Sequence, residues 1–206
     1  MFQSEKYKKS DRDFTFNFIK THPFATFVTS EKDLIATHIP ILLKEDAEEF
    51  TLYGHIANQN EQLKDLKNGV KALLIFKGPD SYVSSSWYQE KNISTWDYTA
   101  LHINCSLKVQ TSDELVESLK RLVYHFEKDR HDPLLYHELP KEMLEDHLKR
   151  ITGFWLYPER IQGIAKLHQG FKKEDIYNIT KELEKEENYQ ASEISKQLKE
   201  IHGTDH

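Results

Sequence analysis

Two stretches carry residue types that could hold a planar, anionic ligand. The first is GHIANQN, residues 54–60. It reads as a strand end running into a helix. Gly54 permits close backbone approach, Asn58 or Asn60 can cap the helix, and free N–H groups at a helix start suit a phosphate. His55 sits at the strand end, and Lys64, one turn further on, would add positive charge. Ordinary helix capping explains the same residues without a ligand. No Gly-x-Gly-x-x-Gly or Walker-type loop accompanies them, so nucleotide loops of those classes are excluded.

The second stretch is SSSWYQEKNISTWDY, residues 84–98. Tyr82, Trp87, Tyr88, Trp96 and Tyr98 offer flat apolar surfaces, and Ser84, Ser85, Ser86 and Thr95 offer short hydroxyls. A heteroaromatic ring needs both, stacking on its faces and hydrogen bonds at its edges. A dimer interface is enriched in the same aromatics, and a core would also take them. All three readings stay open on the residues alone.

Histidines add candidates. In ATHIPILL the strand alternation puts Thr37, Ile39 and Ile41 on one face and His38 and Pro40 on the other. Pro40 cannot donate to a ladder, so this strand is an edge or bends there. His38, His55 and His102 all fall on expected strands, yet no close HxH or HExxH spacing marks a metal site. A Ser-His-Asp arrangement is formally available, without the GxSxG elbow that would point to it. No residue is fixed as catalytic.

The elements that must position these residues follow from pattern. Ser10 can cap a first helix ending before Pro23. Residues 24–30, 34–43 and 50–56 read as strands. A short helix at 58–69 stops at Gly69. A strand at 70–78 ends at Gly78-Pro79, and SYVSSSW and 99–110 supply two more. Six strands and one short helix in 110 residues suggest a small barrel rather than a doubly wound sheet. Thr111 and Glu114 form a capping-box pattern opening a helix. A helix at 140–150, a returning strand at 151–157 and helices at 158–168, 172–187 and 190–202 complete an α+β reading. The Lys/Glu-rich 172–187 reads as a solvated helix face.

The chain has 206 residues, 38% of them hydrophobic, and a net charge of −6. That length allows one domain, or one with a helical appendage. The charge gives no global attraction to nucleic acid. The most basic helical stretch, 120–131, mixes in acids and carries an apolar face, so any DNA contact is expected to be weak and salt-dependent. The single cysteine, Cys105, reads as a buried strand residue. No apolar run reaches the roughly 18 residues of a membrane helix, and the N-terminus lacks a signal-peptide core; a cytoplasmic, non-membrane protein is expected.

Taken in order, ATHIPILL, GHIANQN, IFKGPDSYVSSSWY, STWDYTALH and ITGFWLYPERIQGIAKLHQ resemble the PaiB family of FMN-binding negative transcriptional regulators, over most of residues 5–170. The specific element is the combination FxGPxxYxSxSWY, then TWxY, then a downstream histidine. The resemblance implies a mostly antiparallel six- or seven-stranded split β-barrel, similar to pyridoxamine-phosphate oxidases and flavin reductases. It implies an FMN-binding domain at 1–170 with inserted helices, and a helical extension at 171–206 packed on or beside the barrel. It further implies a homodimer with FMN in a cleft between chains, and a regulatory role with a DNA or other regulatory partner. The phosphate would lie near His55, Asn58, Asn60 and Lys64, Thr37 and His38 would meet the ribityl chain or ring edge, Trp87 and Trp96 would bound the ring, and Lys166 would add charge. Superfamily analogy leaves a flavin-dependent oxidoreductase, or a dimeric barrel without flavin, as alternatives.

The departures from the family pattern are specific. After GHxAxx the family writes Asn-Pro and an aromatic; here Asn60-Glu61-Gln62-Leu63 stands. Its Pro-Ser-Trp-Tyr has Ser85 at the proline position. Its Pro-Thr-Trp-Asn-Tyr is Ser94-Thr95-Trp96-Asp97-Tyr98. Its Gly-Lys-x-Lys-Leu-Ser-Gln-Asn is Gly163-Ile164-Ala165-Lys166-Leu167-His168-Gln169-Gly170. Where that last segment helps hold the flavin, the lost lysine, serine and asparagine weaken the hold.

Overall fold

The computed structural model describes residues 1–9, 11–44 and 50–203. The fold class is the expected one, an α+β, mostly antiparallel split β-barrel with helices at the C-terminal end. The chain forms two compact units. One comprises residues 19–76 and 103–161, the other residues 1–18, 77–102 and 162–206.

The strands are β1 (Lys8–Lys9), β2 (Phe24–Thr29), β3 (Ile35–Pro40), β4 (Leu42–Leu43), β5 (Leu52–Ala57), β6 (Lys71–Val83), β7 (Thr95–Val109) and β8 (Ile151–Lys166). The helices are α1 (Arg12–Thr21), α2 (Ser112–Glu127), α3 (Lys141–Leu148), α4 (Lys173–Lys185) and α5 (Tyr189–His202).

In the larger unit the sheet order is β3-β2-β6-β7-β8-β5-β4. Pairs β2–β3, β2–β6, β4–β5 and β5–β8 run antiparallel. Alternation drives the packing: β2 buries Ala25, Phe27 and Thr29, and Phe27 stacks on Phe154 at 4.9 Å. Leu52, Ile56, Leu74, Ile103 and Leu107 fill the same core. As the edge strand, β3 gives Pro40 the position that alternation and chemistry required. The expected capping box opens α2, with Thr111 Oγ1 accepting from Glu114 N at 3.3 Å and Thr111 N donating to Glu114 Oε2 at 2.8 Å. Against β8 the seat of α2 is tight: a Cβ at Gly153 would fall 2.7 Å from Leu115 Cδ1 and closer still to Gln110 Oε1.

In the smaller unit β1 pairs antiparallel with β8 through Lys8↔Ile164 and Lys9↔Gly163. Helix α4 is solvated on one face but buries Ile176, Ile179 and Leu183 on the other, the i, i+3, i+7 stripe of an amphipathic helix. With Ala191, Ile194 and Leu198 of α5, Ile179 and Leu183 pack on Val83, Ala165 and Leu167.

Three local readings change. The helix expected at 58–69 is a five-residue 3-10 turn, Glu61–Asp65. The chain after it is tied to β7 instead of continuing the spiral, with Gly69 N donating to Leu107 O at 2.8 Å and Asn68 Oδ1 accepting from Val109 N at 2.8 Å. The strand expected to end at Gly78-Pro79 runs on to Val83. Strand β2 pairs with β6 only as far as Ile75, so one flank of β6 beyond it is an edge, where proline costs no ladder bond. The helix expected at 158–168 is the second half of β8. Pro158 again lies past the β5 partner, which ends opposite Leu156, and β1 completes the pairing at 163–164. Ser10 lies outside the described residues, and Asp11 Oδ1 caps α1 by accepting from Phe14 N at 2.7 Å. Cys105 is fully buried on β7, and burial pushes its thiol pKa far up, leaving it inert as a nucleophile. Among the described residues no helix is long and apolar enough to cross a membrane.

Candidate functional site

The larger unit holds six of the expected ligand residues, at the edge formed by β3, the end of β5 and the 3-10 turn. Asn60 caps that turn: its Oδ1 accepts from Gln62 N at 2.9 Å and its Nδ2 donates to Thr37 Oγ1 at 2.9 Å. The structure thus brings Thr37 and Asn60 together. His38 points to the opposite, exposed face of β3, its ring stacked on Phe24 at 6.2 Å. Lys64 is exposed in the last turn of the 3-10 segment.

Asn58 is committed elsewhere. Its Nδ2 donates to Lys149 O at 3.0 Å, its Oδ1 accepts from Thr152 Oγ1 at 2.7 Å, and its N–H donates to Arg150 O at 2.7 Å, stapling the α3–β8 turn to β5. The backbone N–H groups of Asn60, Gln62 and Leu63 are likewise satisfied within the turn. These N–H groups are therefore not left open to an anion.

Gln62 was not singled out by sequence, yet it is 0% exposed. Its Nε2 lies 3.2 Å from Phe27 O, 3.1 Å from Thr29 Oγ1 and 3.2 Å from Ile35 O. Thr29 Oγ1 in turn donates to buried Asp65 Oδ2 at 2.7 Å. This polar knot anchors the turn bearing Asn60 and Lys64 to β2 and β3. The one available signal was the departure at Asn60-Glu61-Gln62, where a buried amide takes the place of an aromatic.

His55 is half-buried opposite Gly153. Burial, and then the charge of His147, lower its pKa from 6.5, so the imidazole is neutral near pH 7. A histidine held neutral binds its proton more weakly folded than unfolded. The unfolded chain then takes up protons first, and stability falls as pH drops below 6.5 toward the folded-state value. His55→Gln is expected to flatten that acid loss. Melting temperatures between about pH 7.5 and 5.5 read it; an unchanged slope would move the acid sensitivity to His102, whose pKa burial also lowers.

The smaller unit holds the remaining three. Trp87 is half-buried and packs against the α4–α5 cluster, so part of the aromatic run is core. Trp96 is 54% exposed and meets Tyr82, 46% exposed, edge-on at 6.0 Å. Lys166 donates to Trp96 O at 2.7 Å and to Thr95 Oγ1. Burial lowers its pKa, opposed by the Asp97 charge.

Beside Lys166 lies a constellation that no sequence motif announced. His168 Nδ1 meets Asp97 Oδ2 at 2.5 Å, and His168 Nε2 meets the Tyr88 hydroxyl at 2.8 Å. Asp97 is 0% and His168 2% exposed. Asp97 Oδ1 is buried with no partner among the described residues. Phe171 packs on both rings, 4.6 Å from His168 and 5.5 Å from Tyr88. Burial, and then the charges of Asp97 and Asp175, push the Tyr88 pKa up to about 12, so its hydroxyl stays protonated and available as a donor. His168 takes a left-handed backbone at φ 50, and Gly170 another at φ 79, folding the chain sharply between β8 and α4.

Residues 1–160 match the family described as "Putative FMN-binding domain". The chain belongs to that family. It is 33% identical over 201 residues to the Protease synthase and sporulation protein PAI 2 of Bacillus subtilis (strain 168), covering 97% of each chain. Among solved structures it resembles the FAD and heme binding protein from Mycobacterium smegmatis, with a TM-score of 0.58, 17% identity, and coverage of 82% of this chain and 78% of that one. It also resembles the flavocytochrome Anf3 from Azotobacter vinelandii, with a TM-score of 0.58 and 12% identity over 82% of this chain and 74% of that one. These likenesses share the split-barrel fold. For this FMN-binding-domain family member, the Thr37 hydroxyl and the Asn60 amide that meet in the larger unit are groups of the kind a phosphorylated polyol hydrogen-bonds.

Proposed function

We propose that the chain binds FMN on its split barrel, acts as a homodimer, and serves a regulatory role in the cytoplasm. The observation that carries the reading is the family match over residues 1–160, which spans the strands bearing Thr37, His38 and His55 and the turn bearing Asn60 and Lys64. Thr37, Asn60 and Lys64 would hold the phosphate and polyol, with His55 donating as a neutral group. Asn58 would act one step back, by fixing the end of β5. Within the other unit, Trp96 and Tyr82 are exposed beside the amine of Lys166 and form an aromatic surface of their own. Bound FMN would supply a redox-active ring.

Exposed Trp96, Tyr82 and Ile93 in one unit support a self-association face, since aromatic surface of this kind marks interfaces. The regulatory role follows the name of the Bacillus relative, matched over 97% of both chains. The single buried thiol and the lack of a membrane-crossing helix among the described residues agree with a cytoplasmic setting.

The visible absorbance of the purified protein and isothermal titration with FMN and riboflavin test the flavin reading. Lys64→Ala is expected to weaken FMN about tenfold, the size of one lost charge-assisted hydrogen bond, and to leave riboflavin unchanged. Equal affinity for FMN and riboflavin in wild type would remove the phosphate site, and failure of both to bind would remove the flavin. Sedimentation at micromolar concentration reads the dimer; a stable monomer would exclude it.

A further inference from the structure

Tyr88, His168 and Asp97 form a hydrogen-bonded chain within the smaller unit, and none of the three is assigned to the flavin. The Tyr88 hydroxyl lies 2.8 Å from His168 Nε2, and His168 Nδ1 lies 2.5 Å from Asp97 Oδ2. The Asp97 charge that acts on Tyr88 makes Oδ2 an acceptor, so His168 Nδ1 carries the ring proton. Nε2 is then left with a lone pair, which accepts from the Tyr88 hydroxyl. The order is that of a nucleophile, its base and a carboxylate that fixes the tautomer of the base, with a phenol in the place where serine is usual.

A buried polar network that only stabilises the fold is the ordinary explanation of such a chain. Three observations go past it. Asp97 and His168 are buried but Tyr88 is half-buried, so solvent reaches the tyrosine end of the network. Asp97 Oδ1 is buried with no partner among the described residues, where a purely structural network would satisfy it. His168 holds a left-handed backbone at φ 50, which a residue other than glycine adopts only where its surroundings impose it. The pattern that the chain resembles writes asparagine and serine at positions 97 and 168, so neither the carboxylate nor the base follows from the resemblance.

We propose that Tyr88 is a nucleophile for acyl transfer from neutral carboxylic esters, with His168 as its base and Asp97 as the residue that positions the base. The Tyr88 oxygen attacks the ester carbonyl while its proton passes to His168 Nε2. The tetrahedral adduct then breaks its C–O bond to the leaving alcohol, which takes the proton from Nε2. Water attacks the resulting tyrosyl ester and gives a proton to Nε2. The tyrosyl C–O bond breaks, the acid departs, and the phenol recovers that proton. Burial and the charges of Asp97 and Asp175 hold the hydroxyl protonated until attack, with its pKa pushed up to about 12, so the activation comes from the adjacent base, as for serine. The same two charges repel an anion, which favours a neutral ester over a phosphate ester.

The test is p-nitrophenyl acetate added to the full chain, with release of p-nitrophenol followed by absorbance and the acetylated residues located by peptide mass spectrometry. Among the tyrosines, Tyr88 should be acetylated first, ahead of Tyr82, Tyr124, Tyr177 and Tyr189, which are all more exposed. Exposure alone gives the reverse order, so the ranking separates an activated phenol from an ordinary one. His168→Gln should slow acetylation of Tyr88 about 100-fold or more, the contribution of a positioned general base, while the rates at Tyr124 and Tyr189 hold. Asp97→Asn should also slow Tyr88 alone, because an amide no longer fixes the tautomer of His168. Both variants alter buried contacts, so Tyr88→Phe, which leaves His168 and Asp97 in place, carries the test where they fail to fold; it should abolish the fast release of p-nitrophenol. The proposal is overturned if Tyr88 is acetylated no faster than the exposed tyrosines, if Tyr88→Phe releases p-nitrophenol as fast as wild type, or if a folded His168→Gln chain acetylates Tyr88 at the wild-type rate.

Discussion

His168→Ala is expected to lower the unfolding free energy by about 3 kcal/mol, the combined cost of removing a buried ring and leaving its hydrogen-bond partners unpaired. Asp97 Oδ2 would lose His168 Nδ1, and Oδ1 already has no partner among the described residues. The Asp97 side chain, 0% exposed, would then keep neither oxygen paired among the bonds described above, and an unpaired buried polar group is costly. Tyr88 would lose the acceptor for its hydroxyl, and Phe171 would lose a ring at 4.6 Å. The two positions also coincide with two departures from the PaiB pattern, Asp97 for asparagine and His168 for serine. That coincidence sets up a double-mutant cycle. Asp97→Asn and His168→Ser should each destabilise, and the double variant, which writes the family's own pair, should be less destabilised than their sum. Urea unfolding of the four chains measures the coupling. A strictly additive double variant, or a His168→Ala chain within about 1 kcal/mol of wild type, would show that the contact does little for stability.

The pair illustrates what the sequence carried and what it hid. Both residues stood out individually as departures, yet they lie 71 positions apart and nothing in either segment names its partner. Only the pairing of long strands and the left-handed turn at His168 bring them together. The β-branched and aromatic strand runs, by contrast, were legible because burial imposes a period of two, and α2 was legible because a capping box is a local device. A strand was expected to end at Gly78-Pro79 and a helix at 158–168, but Pro79 and Pro158 both fall where a strand has lost a neighbour, so lacking an N–H costs the strand nothing there. The 3-10 turn was overextended because its end is decided by bonds to a distant strand, Gly69 to Leu107 and Asn68 to Val109. In the candidate site, Thr37 and Asn60 were expected near one ligand and do touch. Asn58, chosen for its capping chemistry, spends that chemistry on Lys149 and Thr152.

Gln62 offers the sharpest link from stability to ligand binding. Gln62→Leu fills a similar volume but offers no donor to Phe27 O, Thr29 Oγ1 and Ile35 O, and each buried acceptor left unpaired costs about 1–3 kcal/mol. Backbone carbonyls of paired strands keep other partners, so the expected total is about 2–4 kcal/mol. Gln62→Glu should be worse near neutral pH. It would place a second carboxylate beside buried Asp65 and turn the amide's donors into acceptors facing acceptors. On acidification the new carboxyl regains a proton and can donate once, so the gap between the Glu and Leu variants should narrow as pH falls. Thermal melts of the three chains near neutral and near pH 5 read both effects; a Glu variant as stable as the Leu variant at neutral pH would mean that the pocket around residue 62 is open to water. The functional consequence travels through the turn. Asn60 and Lys64 ride on the segment that Gln62 ties to β2 and β3, so loosening it should lower FMN affinity even where the protein stays folded. Titration of FMN into Gln62→Leu, held well below its melting point, separates two cases. A drop comparable to that of Lys64→Ala means that the knot positions the phosphate donors. Undiminished affinity would place the flavin phosphate away from this turn.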